Sequence, residues 1–249
     1  MLLKDKVAIV TGAGSLRGIG FATAKRFVEE GARVAIIDLD RESASAAAQA
    51  VGEGCRGYVC DVRDAARCEA VVGEIRRDFS GLDILVNNAG VSQPTKLLDV
   101  EMIDYDLVMD VSVRGAFNMS RAVVPHFKRQ KSGAIVCMGS VAAQRGGGVL
   151  GGPHYASAKG AVQTMAKAMA RELGAFGIRV NAIAPGLVDT DLLVGKITED
   201  RKALVAGGTS VGRLASADDI ADAFLFLGSD LSSFTTGYIL DVNGGLHIH

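Results

Sequence analysis

Short apolar, largely β-branched runs alternate along the chain with longer segments in which apolar positions recur every three to four residues. Val7 to Thr11 precedes a helical segment from Ile19 to Glu30, Arg33 to Asp38 precedes Arg41 to Ala50, and Tyr58 to Asp61 precedes Ala65 to Phe79. Asp83 to Asn87 then leads into one long helical stretch from about Asp99 to Lys131, and Ala134 to Met138 leads into a helix from about Tyr155 to Gly174. Arg179 to Ala184 is followed by weak periodicity through Leu192 to Thr209, a helical period in Asp218 to Leu227 and a strand-like run from Gly237 to Val242. Alternating strands and helices predict βαβ units around a parallel sheet, and strands that are apolar throughout predict a sheet covered on both faces. No linker, repeat or low-complexity block interrupts the pattern, so one domain over residues 1–249 is expected.

Charge and composition narrow the function. With 27 Lys plus Arg against 28 Asp plus Glu and a formal net charge of -1, the chain offers no global field for a nucleic-acid backbone. The start, Met1 to Gly14, has lysine and aspartate within its first six residues and only a short apolar run after them, so it reads as neither signal peptide nor membrane span. A cytoplasmic protein with no membrane partner is expected. Cys55, Cys60, Cys68 and Cys137 lack metal-type spacing and read as buried thiols, so no metal site is assigned. Glycine is in excess, at 31 residues, which points to places of close backbone approach.

The first such place follows the first strand, where Gly12, Gly14, Gly18 and Gly20 surround Arg17 and Ile19 ahead of a helix. A glycine turn lets the backbone approach a pyrophosphate, and the helix N-terminus supplies unpaired N–H groups and partial positive charge. An ordinary strand-to-helix loop is the alternative, but its place in the first βαβ unit and the second strand ending at Asp38 favour a dinucleotide. At a strand end, Asp38 can accept hydrogen bonds from both ribose hydroxyls and would repel a 2′-phosphate, which favours NAD over NADP. Arg17 argues the other way, since a guanidinium there can pair with a 2′-phosphate.

Asn87-Asn88-Ala89-Gly90 after the fourth strand, Ser140 after the fifth and Tyr155-Ala156-Ser157-Ala158-Lys159 follow in order. Pro185-Gly186-Leu187-Val188-Asp189-Thr190 and the closing Thr236 to Gly245 complete a set that resembles the classical short-chain dehydrogenases/reductases across essentially the whole chain. The resemblance implies a Rossmann-type, doubly wound, mainly parallel seven-stranded sheet with helices on both faces. It further implies hydride transfer between a nicotinamide cofactor and a small hydroxy or keto substrate, in a homotetramer. By resemblance, Gly12, Arg17, Gly18, Ile19, Gly20, Asn88 and Gly90 border the cofactor, and Asp61 and Val62 contact the adenine edge. Pro185, Gly186, Val188 and Thr190 lie at the nicotinamide carboxamide, with Lys159 on the nicotinamide ribose. The residues support the chemistry on their own terms. Tyr155 and Lys159 lie four apart on one helix face, and an ammonium beside a phenol favours the phenolate. Ser140 would donate to the substrate oxygen while Tyr155 exchanges the proton.

Three departures from the family pattern matter. Ser112 stands where the family usually has an asparagine thought to anchor a water behind the lysine; its hydroxyl can hold a water but lacks the two-ended reach of an amide, so Ser112 is a further catalytic candidate with altered activity expected. Five residues separate Gly12 from Gly18, more than is usual; this resembles the divergent enoyl reductases, whose tyrosine-to-lysine spacing differs from that of Tyr155 and Lys159. The segment between Ser140 and Tyr155 is also long; His154 within it reads as structural.

The alternative enzyme is an NADPH-dependent 3-oxoacyl-(acyl carrier protein) reductase, for which Lys128, Arg129 and Lys131 could dock an acidic carrier. A silent nucleotide sensor is the alternative from another class, favoured only by Ser112. The substrate surface is expected from the residues after Ser140, including the long segment Arg145 to His154, from Ser92 to Lys96 and from Asp191 to Gly212, with Gly195, Gly207 and Gly208 suggesting a mobile lid. Few charges in Ser92 to Leu98 favour a neutral hydroxy or keto compound. The tail Leu246 to His249 is read as reaching toward a neighbouring subunit.

Overall fold

The first strand, β1 (Val7–Thr11), is buried at every position, as an apolar strand flanked by two helical layers must be. It pairs in parallel with β2 (Arg33–Asp38) on one side and with β4 (Ile84–Asn87) on the other. The remaining strands, β3 (Cys55–Val59), β5 (Gly133–Met138), β6 (Ile178–Pro185) and β7 (Ile239–Val242), complete a seven-stranded parallel sheet in the order β3-β2-β1-β4-β5-β6-β7. These features come from a computed structural model that describes residues 1–249.

Alternate side chains of each strand enter different cores. Val7 and Ile9 of β1 face the side covered by α3 (Ala65–Phe79), α5 (Gly115–Gln130) and α7 (Pro153–Leu173), where Val71, Ile75, Met119, Phe127 and Val162 pack. Ala8 and Val10 face the side covered by α1 (Ile19–Glu29), α2 (Arg41–Val51) and α9 (Ala217–Gly228), where Phe27, Ala47, Ile220 and Phe224 pack. Strand order reverses at β1: β2 and β3 lie to one side, β4 to β7 to the other. At such a switch point the connections after β1 and β4 leave in opposite directions and open a crevice at the C-terminal strand ends.

The element boundaries correct the expected pattern in three places. Strand β3 spans Cys55–Val59, earlier than Tyr58 to Asp61, because its parallel register runs from Val34 opposite Cys55 to Asp38 opposite Val59. As an edge strand it carries the polar Arg56 and Gly57, which hide it from an apolar scan. The long helical stretch begins with α4 (Met102–Met109), passes through a π-helical turn, Asp110–Arg114, and continues as α5. Helix α7 starts at Pro153, whose fixed φ suits a first helical position, so Tyr155 lies in its first turn. Two further helices, α6 (Val141–Arg145) and α8 (Glu199–Gly207), occupy segments with little periodic signal.

Candidate active site

The turn after β1 is built for close approach. Gly12 has φ +63°, and a Cβ there would lie 2.7 Å from Ala89 Cα; a Cβ on Gly20 would lie 2.8 Å from Ala13 Cα. Asn88 ties this turn to the loop after β4, its Nδ2 donating to the Thr11 and Gly12 carbonyls, each at 2.8 Å. Helix α1 starts after Gly18 without a side-chain cap, leaving first-turn N–H groups free beside Ile19. At the end of β2, Asp38 accepts from the N–H groups of Gly14 at 2.7 Å and Leu39 at 2.8 Å. Each carboxylate oxygen retains a second lone pair.

Asp61 follows β3 and pairs with Arg63 at 2.7 Å; the guanidinium's hydrogen bonds hold its carboxyl below the usual carboxylate range. Arg17 turns instead toward Asp191, 3.4 Å away, where the Ser15 hydroxyl also donates at 3.0 Å. It therefore joins the turn after β1 to the segment expected to form a lid.

Ser140 ends the β5 loop and caps α6, its Oγ accepting from Ala142 N–H at 3.1 Å. Lys159 is buried, donates from Nζ to the Met138 carbonyl at 2.8 Å and lies 5.8 Å from the Tyr155 ring centroid. Burial pushes the Lys159 ammonium down to about 8 and raises the Tyr155 phenol, which Ser140 draws partly back. The lowering of Tyr155 expected from Lys159 is absent here: desolvation dominates, only Ser140 opposes it, and the ammonium is turned to a carbonyl. Gly90 sits between two polar groups: a Cβ there would lie 3.2 Å from Lys159 Nζ and 3.6 Å from Ser112 Oγ. Ser112, in the π-helical turn, is buried, and its hydroxyl has no protein partner.

One cleft of about 1100 Å³ connects these groups, larger than the roughly 300–1,000 Å³ typical of a single small-molecule site. Gly12, Gly18, Ile19, Asp38, Asp61 and Val62 line it from the C-terminal ends of β1, β2 and β3. Asn88, Gly90, Ser140, Tyr155, Lys159, Pro185, Gly186, Val188 and Thr190 line it from the ends of β4, β5 and β6 and from α7. Of the catalytic and cofactor residues assigned from sequence, Arg17, Gly20 and Ser112 lie outside this lining, and of the expected Ser92 to Lys96 substrate stretch only Ser92 belongs to it. Gly20 serves packing against Ala13, and Ser112 sits behind Gly90.

Sequence reasoning missed Cys60, Arg63 and Leu246, which line the cleft from loops without a motif, whereas Arg145 and Arg201 fall in the segments expected to border the substrate. His154 is buried outside the lining, with Nε2 3.0 Å from Gln93 Oε1, and Gln93 donates onward to Asp104 at 3.0 Å. Gly152 N–H donates to the Gln93 carbonyl at 2.7 Å and Ser92 donates to the Leu150 carbonyl, fastening the loop before Tyr155. His249 lies 3.1 Å from Asp241 of its own chain, so the tail folds back beside β7.

The parallel sheet, its switch point and the tyrosine–lysine helix beside it define an oxidoreductase of the nicotinamide-dependent, Rossmann-like class. The chain belongs to the short-chain dehydrogenase/reductase family. A family model described as enoyl-(acyl carrier protein) reductase matches residues 12–247. An uncharacterised short-chain type dehydrogenase/reductase from Sinorhizobium fredii is 46% identical, with 100% of each chain covered. A 3alpha-hydroxysteroid dehydrogenase of Mediterraneibacter gnavus is 39% identical over 98% of each chain. A 3-oxoacyl-(acyl carrier protein) reductase of Thermotoga maritima is 36% identical over 100% of each.

Proposed function

We propose that this protein moves a hydride between NAD(H) and a secondary alcohol or ketone, with Tyr155 exchanging the proton. The observation that carries the reading is the convergence of Ser140, Tyr155 and Lys159 on the cleft that Asp38 and the Gly12–Gly20 turn also enter. A dinucleotide fits the residues present. Gly12 leaves no room for a side chain, the α1 N-terminus has uncapped N–H groups, and Asp38 is fixed with lone pairs to spare. The N–H groups at Gly18 and Ile19 would hold the pyrophosphate, Asp38 the adenosine ribose, and Asp61 and Val62 the adenine edge. Asn88, Gly90 and Lys159 would border the nicotinamide ribose, and Pro185, Gly186, Val188 and Thr190 the carboxamide. When bound, the nicotinamide supplies the hydride donor or acceptor at its C4.

The chain's own groups handle the oxygen. Ser140 donates to it, and its Oγ is oriented by Ala142 N–H. Tyr155, kept protonated by burial, gives its proton to the forming alkoxide in reduction. In alcohol oxidation Tyr155 must first lose that proton, and Lys159, largely cationic near neutral pH, favours the phenolate. Ser112 and its unpaired hydroxyl would hold a water behind Lys159.

Fluorescence titration with NADH and NADPH tests the reading, using the natural chain and Asp38→Ala. Preference for NADH that collapses on the substitution is expected. Preference for NADPH would favour a 3-oxoacyl-(acyl carrier protein) reductase, a reading supported by the Thermotoga maritima relative. Against that reading, Lys128 is engaged within its own chain, 4.0 Å from Glu172 and over the Phe176 ring at 4.4 Å. Binding of neither cofactor would remove the basis for the enzyme reading. We further propose a cytoplasmic homotetramer. No helix is long and apolar enough to cross a membrane.

A further inference from the structure

The cleft has a charge asymmetry that its partners reveal. On the nucleotide side, Asp38 is held by Gly14 N–H, and Asp61 and Arg63 neutralise each other. Lys159 donates to the Met138 carbonyl and is assigned to the nicotinamide ribose, and Asp191 accepts from Ser15 and pairs with Arg17. Two charged groups of the lining are left without an acceptor in the protein: the guanidinium groups of Arg145 and Arg201. Their segments follow β5 and β6, which lie on the opposite side of β1 from β2, the strand that ends at Asp38.

Their positions are set by separate elements. Arg145 closes α6, the five-residue helix that Ser140 caps, and Gly146 at φ +76° turns the chain immediately after it. At 1.5 Å per residue this places the Arg145 backbone roughly 7–8 Å along the helix from Ser140. Arg201 lies in the first turn of α8, which presents Arg201, Leu204, Val205 and Gly208 to the cleft at helical spacing. The neighbouring Lys202 is paired with Asp189 and Glu199, so it does not compete for the same ligand. The same lining includes the apolar Val149, Leu150, Leu187 and Leu192.

We infer that the substrate is an apolar hydroxy or keto compound carrying an anionic group on the order of 10 Å from the reacting carbon, clamped by Arg145 and Arg201. The inference rests on the hydride-transfer reading and deepens it. It replaces the neutral substrate expected from Ser92 to Leu98, because both cations come from segments outside that stretch. Arg145 and Arg201 are exposed, so water solvates them without a ligand, and discrimination comes from the charge-assisted hydrogen bonds that an anion adds and a neutral analogue does not.

The test compares 4-(4-oxocyclohexyl)benzoate with its methyl ester, a pair matched in body and differing in the charge. NADH oxidation gives kcat/KM for each, and fluorescence titration gives NADH affinity in parallel. The expected result is a preference for the acid of about tenfold or more. That preference falls toward unity in the Arg145→Gln/Arg201→Gln double variant and shrinks as salt is raised, since exposed charges are screened. Equal use of acid and ester, or a preference surviving both substitutions, overturns the inference while leaving hydride transfer standing. No turnover of either compound by a protein that binds NADH also overturns it for a substrate of this span. Failure of the natural chain to bind either nicotinamide cofactor would instead remove the reading beneath it.

Discussion

Burial acts on Tyr155 and Lys159 in opposite senses, since it disfavours the charged form of each: it raises the phenol and lowers the ammonium to about 8. Tyr155→Phe keeps the ring and removes the proton, so kcat is expected to fall by about 10²–10⁴ with the far-ultraviolet circular dichroism unchanged. Lys159 gives a stability signature of defined sign. Below pH 8 it is charged in both folded and unfolded chains, and the cost of burying the charge is fully present. Between pH 8 and about 10.5 the folded chain releases the proton while the unfolded chain keeps it, so stability rises with pH. Urea unfolding at pH 7 and pH 10 is expected to show a larger gain for the natural chain than for Lys159→Met; equal gains would contradict this titration. Ser112→Asn is expected to raise turnover or leave it unchanged. A large loss would mean that the buried hydroxyl, with no protein partner, serves a water arrangement an amide cannot reproduce.

Helix and loop ends position these side chains, and their stability is testable separately from the chemistry. Gly12→Ala puts a Cβ on a residue at φ +63° and against Ala89, so a loss of about 1–2 kcal/mol in urea unfolding is expected. The link from Ser15 and Arg17 to Asp191 joins the glycine turn to the segment after β6. Asp191→Ala is expected to speed proteolysis within residues 191–212; an unchanged rate would mean the link does not restrain the segment. At this scale the sequence was legible where elements were long and buried. Helices α1, α3 and α9 announce themselves by period, and α9 adds a capping box from Ser216 and Asp219. Helix α6 is too short for a period, and the π-helical turn at Ser112 lies inside an otherwise continuous helical pattern.

The molecule as a whole presents apolar side chains that its own core does not use. Leu98, Met102 and Ile103 are exposed around the start of α4, and Phe117 is exposed on α5. Their clustering on adjoining elements supports the homotetramer proposed above, with α4 and α5 at an interface. Replacing Leu98 and Ile103 by aspartate is expected to lower the mass measured by light scattering, whereas an unchanged mass would place the interface elsewhere.

The fold was determined by information that sequence carries locally: apolar strands alternating with amphipathic helices specify a two-sided parallel sheet, and the glycine turn, Ser140, Tyr155 and Lys159 mark its active edge by type and spacing. Those signals survive without coordinates because hydrophobic period and glycine geometry depend on near neighbours along the chain. Which charges remain free depended on contacts between distant segments. Arg17 is adjacent to the cofactor turn in sequence yet bonds Asp191, while Arg145 and Arg201, far apart in sequence, border one cleft. Only the tertiary structure could decide this, because the energy of a charge is set by the groups around it in space, wherever the chain brings them from.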